Sequence, residues 1–166
     1  MSIKLSETSA NFDVWNTTAG VIRKTPIGFA YNRYNTGDDS YTTVADNTLY
    51  TLPYTLTYTP KYASSILQIE WVCQMRTINS AGAALQIYRD GVLIPTSGGA
   101  YENVDMFYKG DAINHHLNYR GRQWVTAGST NPTTFSAMVR SFSWGGTFEV
   151  SYGWGQHLAF VTEFSS

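Results

Sequence analysis

Between residues 66 and 76 the side chains alternate: Leu67, Ile69, Trp71, Cys73 and Met75 fall on one side, and Gln68, Glu70, Gln74 and Arg76 on the other. A period of two predicts a β-strand with one face turned to a core. Ile66 and Val72 fall with the polar set and make that outer face partly apolar. The small residues Ser80, Ala81, Gly82 and Ala83 then predict a turn, and Asp90-Gly91 stands between Leu85/Ile87 and Val92/Ile94. Asp-Gly in that setting predicts a tight hairpin, because both turn positions require positive φ and Gly accepts it without a Cβ clash.

The pattern recurs more weakly on either side. Residues 27–34 alternate aromatic and small side chains, and a turn-forming cluster at 35–40 precedes a strand-like run at 41–44. Residues 49–58 have a β composition, but Pro53 cannot donate to a ladder and predicts an edge, a bulge or a break. Residues 123–126, 134–142, 147–152 and 157–164 read as strands separated by Gly, Ser, Asn and Pro or by Gly-Trp-Gly. The last is apolar on both faces for most of its length, which predicts burial on both sides and a place in a subunit interface. Residues 101–122, rich in Gly, Asn and His, read as a long loop with at most one short strand.

About eight to ten short strands with regular turn signals and no amphipathic helix predict an all-β, antiparallel sandwich. The Cys-Trp-Cys framework of immunoglobulin domains is absent, which favours a jelly roll over that alternative. With 166 residues the chain holds one core and an extension. Residues 1–25 read as an N-terminal extended arm, with Ile3, Leu5, Phe12, Val14 and Trp15 as apolar anchors in a Ser/Thr/Asn background, and residues 26–166 as the sandwich.

Composition then narrows the partners. The net charge is −1, from 11 Lys and Arg against 12 Asp and Glu, and no basic run is present to neutralise phosphates, so nucleic acid is not expected. Charged residues make up 14% of the chain and aromatics 15%, which suits a surface covered in part by another copy or another protein. The start of the chain lacks a signal-peptide pattern and no segment has the apolar length of a membrane span, so a protein made in the cytoplasm and held off membranes is expected.

Four segments of residues 54–166 carry a family resemblance: Thr57-Tyr58-Thr59-Pro60 leading into Ser64 through Ile69, the Ser80 to Ala83 segment, the Tyr88-Arg89-Asp90-Gly91 hairpin, and the late pair of strands around Phe148 and Phe160. In this order they resemble the jelly-roll domains of tailed-bacteriophage particle proteins, which are similar in turn to trimeric tumour-necrosis-factor-like jelly rolls. The resemblance implies a virion structural protein assembled in the host cytoplasm, a homotrimer contacting the major capsid protein or other virion proteins. It implies decoration or cementing of the capsid first, with the arm as docking segment, and a fibre or tail-tip receptor-binding module as the alternative.

Candidate chemistry is sparse. His115, His116, Asp105, Asp111 and His157 could form a metal site, but adjacent histidines on a strand point to opposite faces and the spacing matches no ligand pattern. Asp38 and Asp39 lack the alternation of a calcium loop. Glu70, Glu102, Glu149 and Glu163 could pair as in a glycosidase, yet Glu70 and Glu149 fall on polar strand faces where solvated charge is expected. No nucleophile motif is present and Cys73 lies on an apolar face, so neither enzymatic activity nor a cofactor is expected. Trp144, Tyr152 and Trp154, set among glycines, are the candidates for stacking on a host glycan.

Overall fold

The computed structural model describes residues 14–16, 21–23, 26–34, 41–44, 48–78, 81–95, 105–109, 115–142, 147–151 and 157–165. They form the strands β1 (Val14–Asn16), β2 (Val21–Arg23), β3 (Pro26–Tyr34), β4 (Tyr41–Val44), β5 (Leu49–Thr51), β6 (Leu56–Tyr58) and β7 (Ile66–Ile78). Then follow β8 (Ala81–Arg89), β9 (Val92–Leu93), β10 (Asp105–Lys109), β11 (His115–Thr126), β12 (Thr133–Phe142), β13 (Thr147–Ser151) and β14 (His157–Phe164). Every pairing is antiparallel, and β3 to β14 divide between two six-stranded sheets.

Short strands pair end to end along long ones. One edge of β7 is taken by β14 over Ile66 to Val72 and by β13 over Met75 to Ile78, while β11 runs along the whole of the other edge. β3 and β4 continue the sheet outward from β14 and β13. In the second sheet, β8 carries β9 and β10 on one edge and β12 on the other, and β12 carries β5 and β6. Counting each collinear pair as one ribbon, the sheets run β3/β4, β13/β14, β7, β11 and β5/β6, β12, β8, β9/β10. Successive ribbons swap sheets except from β8 to β9/β10, which stay together, in the manner of a jelly roll, so the expected all-β antiparallel sandwich is the architecture found.

The alternation around Trp71 is what closes the core. Leu67, Ile69, Trp71, Cys73 and Met75 are fully buried, and they meet Leu85 and Ile87 of β8, Phe135, Ala137 and Val139 of β12, and Phe148, Val150, Ala159 and Val161. Each large side chain among them contributes about 1.5–3 kcal/mol by leaving water. Pro53 sits between β5 and β6, which pair with different stretches of β12, so it marks the break between two short strands. Asp90 and Gly91 have φ of 50° and 79°, the two left-handed positions that the Asp-Gly hairpin requires. The Asp90 carboxylate also accepts from the Thr134 N–H at 2.8 Å and the Thr133 hydroxyl at 2.7 Å, which fastens the hairpin to β12. Led by the Thr134 bond, these hold the Asp90 carboxyl below its ordinary range.

Three expectations change. Residues 101–122 are not a long loop with one short strand: β10 lies there, and most of the twelve-residue β11 falls there too. Ala81, Gly82 and Ala83 begin β8 rather than forming a turn, with Gly82 directly opposite Phe142 and Tyr108. β14 alternates between buried and half-buried positions, so it has one core face and one partly covered outer face instead of being buried on both. Within the expected arm, β1 and β2 pair as a hairpin, Val14 opposite Arg23 and Trp15 opposite Ile22, while Ile3, Leu5 and Phe12 lie outside the described residues.

Candidate functional site

The outer face of the β3–β14–β7–β11 sheet carries an unusual set of side chains for a solvent-facing surface. Cross-strand register places Tyr31, Phe160, Glu70 and Arg122 in one row, and Phe29, Thr162, Gln68 and Trp124 in the next. Side chains in such rows stand close enough to touch. Phe29 is 59% exposed and Tyr31 64%, with their rings stacked at a centroid distance of 6.0 Å, and Phe160 leans on Phe29 at 6.1 Å. Trp124, 51% exposed, packs on Phe164 at 5.5 Å at the far side of the same face.

Glu70 is buried beneath this face by two arginines rather than solvated, which corrects the expectation from its place on a polar strand face. Arg120 Nε donates to Oε1 at 2.7 Å with its Nη2 on the same oxygen, and Arg122 donates to Oε2 through Nε at 3.1 Å and Nη2 at 3.0 Å. Each guanidinium therefore spends its Nε–Nη2 edge on Glu70 and keeps its Nη1 end away from it. The Arg120 and Arg122 side chains are 60% and 49% exposed, so these donors face outward on a group of net charge +1. Phe29, Phe160, Gln68, Thr162, Glu70 and Arg120 line a half-open concavity of about 240 Å³.

Two further carboxylates among the described residues, Glu149 and Glu163, are engaged inside the fold. Glu149, also expected to be solvated, is buried and receives Arg76 Nε at 2.8 Å. Glu163 is fully buried and accepts the Tyr58 hydroxyl at 2.6 Å, with backbone N–H bonds from Lys61 at 2.9 and 3.0 Å and Tyr62 at 3.2 Å. Burial pushes its pKa up, but the neighbouring Ser65 hydroxyl, then Tyr58 and the two backbone N–H groups, outweigh burial and hold it below the usual carboxylate range. The same contact raises the Tyr58 phenol well above its ordinary value, burial first and the Glu163 charge and hydrogen bond after it.

The other sequence candidates scatter. His157 is fully buried with its ring edge-on to Tyr54 at 5.7 Å, in a stack that runs on through Tyr34 and Trp71. That core position removes it from any shared site with His115 and His116, which lie in β11, and Asp105, which opens β10. Among the described residues no three His, Cys, Asp or Glu side chains gather as a metal site. Cys73 is fully buried and burial raises its thiol to about 12. Trp144, Tyr152, Trp154, Asp38, Asp39, Glu102 and Asp111 lie outside the described residues. The arginine pair escaped sequence reading, although Arg120-Gly121-Arg122 carried the signal: a period of two puts both guanidiniums on one strand face.

No family model matches the chain, and no curated protein matches it. Among solved structures, the chain is similar to chains of infectious bursal disease virus. For the Gx strain the identity is 11% and the TM-score 0.42, over 93% of this chain and 47% of that one. For the Gt strain the identity is 11% and the TM-score 0.43, over 98% and 46%. For the VP2 subviral particle of the same virus the identity is 11% and the TM-score 0.39, over 90% and 44%. This chain thus spans about half the length of the viral chains it is matched with.

Proposed function

We propose that the chain is a non-enzymatic structural protein of a virion, assembling as a homotrimer that decorates or cements a capsid. The observation that carries this reading is the contrast between the carboxylates and the outer sheet face. Glu70, Glu149 and Glu163 are each held by partners within the fold, whereas aromatic and arginine side chains are displayed on one broad surface. Such a molecule is equipped to bind rather than to move protons. The jelly-roll ribbon order, the phage-like order of segments and the sparse charge support the same reading. In a trimer the arm anchors Ile3, Leu5, Phe12, Val14 and Trp15 are presented several times over, so weak docking contacts gain strength through effective concentration. Deleting residues 1–25 is expected to abolish attachment to capsids while leaving a trimer by light scattering; retained attachment would overturn the docking role of the arm.

A second reading, a fibre or tail-tip receptor-binding module, is favoured by the concavity beside Phe29 and Phe160, whose size suits a small ligand. Immunogold labelling of particles separates the two: label over the shell supports decoration, and label confined to tail or fibre ends supports receptor binding.

A further inference from the structure

We infer that the concavity between Phe29, Phe160 and Arg120 is a binding site for an acidic sugar, its carboxylate held by the Arg120 guanidinium and its ring face laid against the phenylalanines. The inference rests on the fibre or tail-tip reading and supplies its ligand class. It takes as the glycan contact residues other than the expected Trp144, Tyr152 and Trp154, which lie outside the described residues.

Four observations converge on that chemistry. The first is charge. Two guanidiniums share one buried carboxylate, so the group keeps one uncompensated positive charge, and the Nη1 end of Arg120, which Glu70 does not use, supplies donors for a planar, singly charged anion. The second is preorganisation. Glu70 fixes both arginines by their Nε–Nη2 edges, so little side-chain entropy remains to be lost when an anion arrives. The third is the apolar wall: Phe29 and Phe160 offer ring surface beside the charge, and the C–H face of a pyranose is the common partner for such a surface. The fourth is the polar remainder. Gln68 and Thr162 lie opposite each other in the sheet and line the same hollow, offering donors and acceptors to hydroxyl groups.

Size favours a sugar over a larger ligand. The hollow measures about 240 Å³, below the roughly 300–1,000 Å³ of sites that take drug-sized molecules. The walls are side chains on the sheet face, whereas an extended peptide gains most of its binding from main-chain bonds along an open edge.

The test is saturation-transfer NMR and calorimetric titration of the full chain with the methyl glycosides of N-acetylneuraminic acid and glucuronic acid. Methyl glucoside serves as the neutral control and N-acetyl-aspartate amide as the peptide carboxylate. Binding of an acidic glycoside is expected, weakening as salt rises, with affinity reduced about tenfold or more by Arg120→Gln and by Phe29→Ala. Both substitutions are at exposed positions, and unchanged thermal unfolding verifies that each variant is folded. Equal affinity for methyl glucoside would overturn the carboxylate assignment. Tighter binding of N-acetyl-aspartate amide would replace the sugar by a protein partner, and no binding of any probe would overturn the site. Adsorption of particles to host cells is measured alongside: if it persists with Arg120→Gln and no acidic sugar binds, the receptor-binding reading survives and only its ligand is wrong.

Discussion

The hydroxyl of Tyr58 donates a 2.6 Å hydrogen bond to Oε2 of Glu163, across 105 residues of sequence. The carboxylate also takes the backbone N–H groups of Lys61 and Tyr62, and the Lys61 ammonium reaches back to the Ile27 carbonyl. One buried side chain thus joins β6, the turn before β7, β14 and β3. Tyr58→Phe removes the hydroxyl and leaves the charge with one donor fewer, so a loss of about 1.5–3 kcal/mol in urea unfolding is expected.

That carboxylate also sets an acid limit. Its folded pKa lies below the ordinary 4.5, so its stabilisation is complete above that value and is lost as pH falls through the folded pKa. Asp90, held below its ordinary 3.8, acts in the same direction. Unfolding free energy measured from pH 7 downward is expected to be level until about pH 5 and then to decline. Glu163→Gln is expected to be less stable at pH 7 and to show a shallower acid decline.

Gly28 faces Glu163 across the β3–β14 ladder, and a Cβ placed there would come within 1.9 Å of the Tyr58 hydroxyl oxygen. Gly28→Ala therefore forces the phenol off its carboxylate or bends β3. A loss of about 1–3 kcal/mol is expected from overpacking, and combining it with Tyr58→Phe should cost less than the sum of the two.

Cys73 reports on the core without disturbing it. With the thiol buried and its pKa raised to about 12, disulfide reagents at pH 8 are expected to leave the native chain unmodified. In denaturant, labelling should follow the fraction unfolded measured by circular dichroism; fast labelling of the native state would contradict the packing of β7.

The two faces of the sandwich should respond differently to truncation. Phe135 is fully buried, and Phe135→Ala is expected to lose about 3–5 kcal/mol. Trp124, half exposed on the outer face, should lose less than about 1 kcal/mol when replaced by Ala. Equal losses by thermal unfolding would show that the outer face is packed as tightly as the core.

Legibility in the sequence followed the clarity of the two-residue period. β7 was plain because its inward positions are all large and apolar, and the Asp-Gly hairpin because its turn chemistry is specific. β11 was hidden for the opposite reason. Its inward positions include Tyr119, Gly121, Gln123 and Val125, and its outward ones Arg120, Arg122 and Trp124, so hydrophobicity barely distinguishes the sides. Gly121 stands directly opposite Trp71, where a neighbour's bulk stands in for the missing side chain, and only pairing reveals that. Solvated charge was expected at Glu70 and Glu149 because a single strand does not show that arginines on the next strand will close over a carboxylate. The outer-face concavity needed the ladder itself, since its walls come from four separate strands.

Those walls have a consequence for when the protein can act. Phe29 comes from β3, Glu70 from β7, Arg120 from β11 and Phe160 from β14, which is inserted between β3 and β7. A chain still being synthesised has three of these side chains before the last, and until residues 157–164 emerge β3 and β7 lack the strand that pairs with both. The surface becomes complete only with the final strand, so a nascent or truncated chain would be blind to whatever the finished molecule recognises.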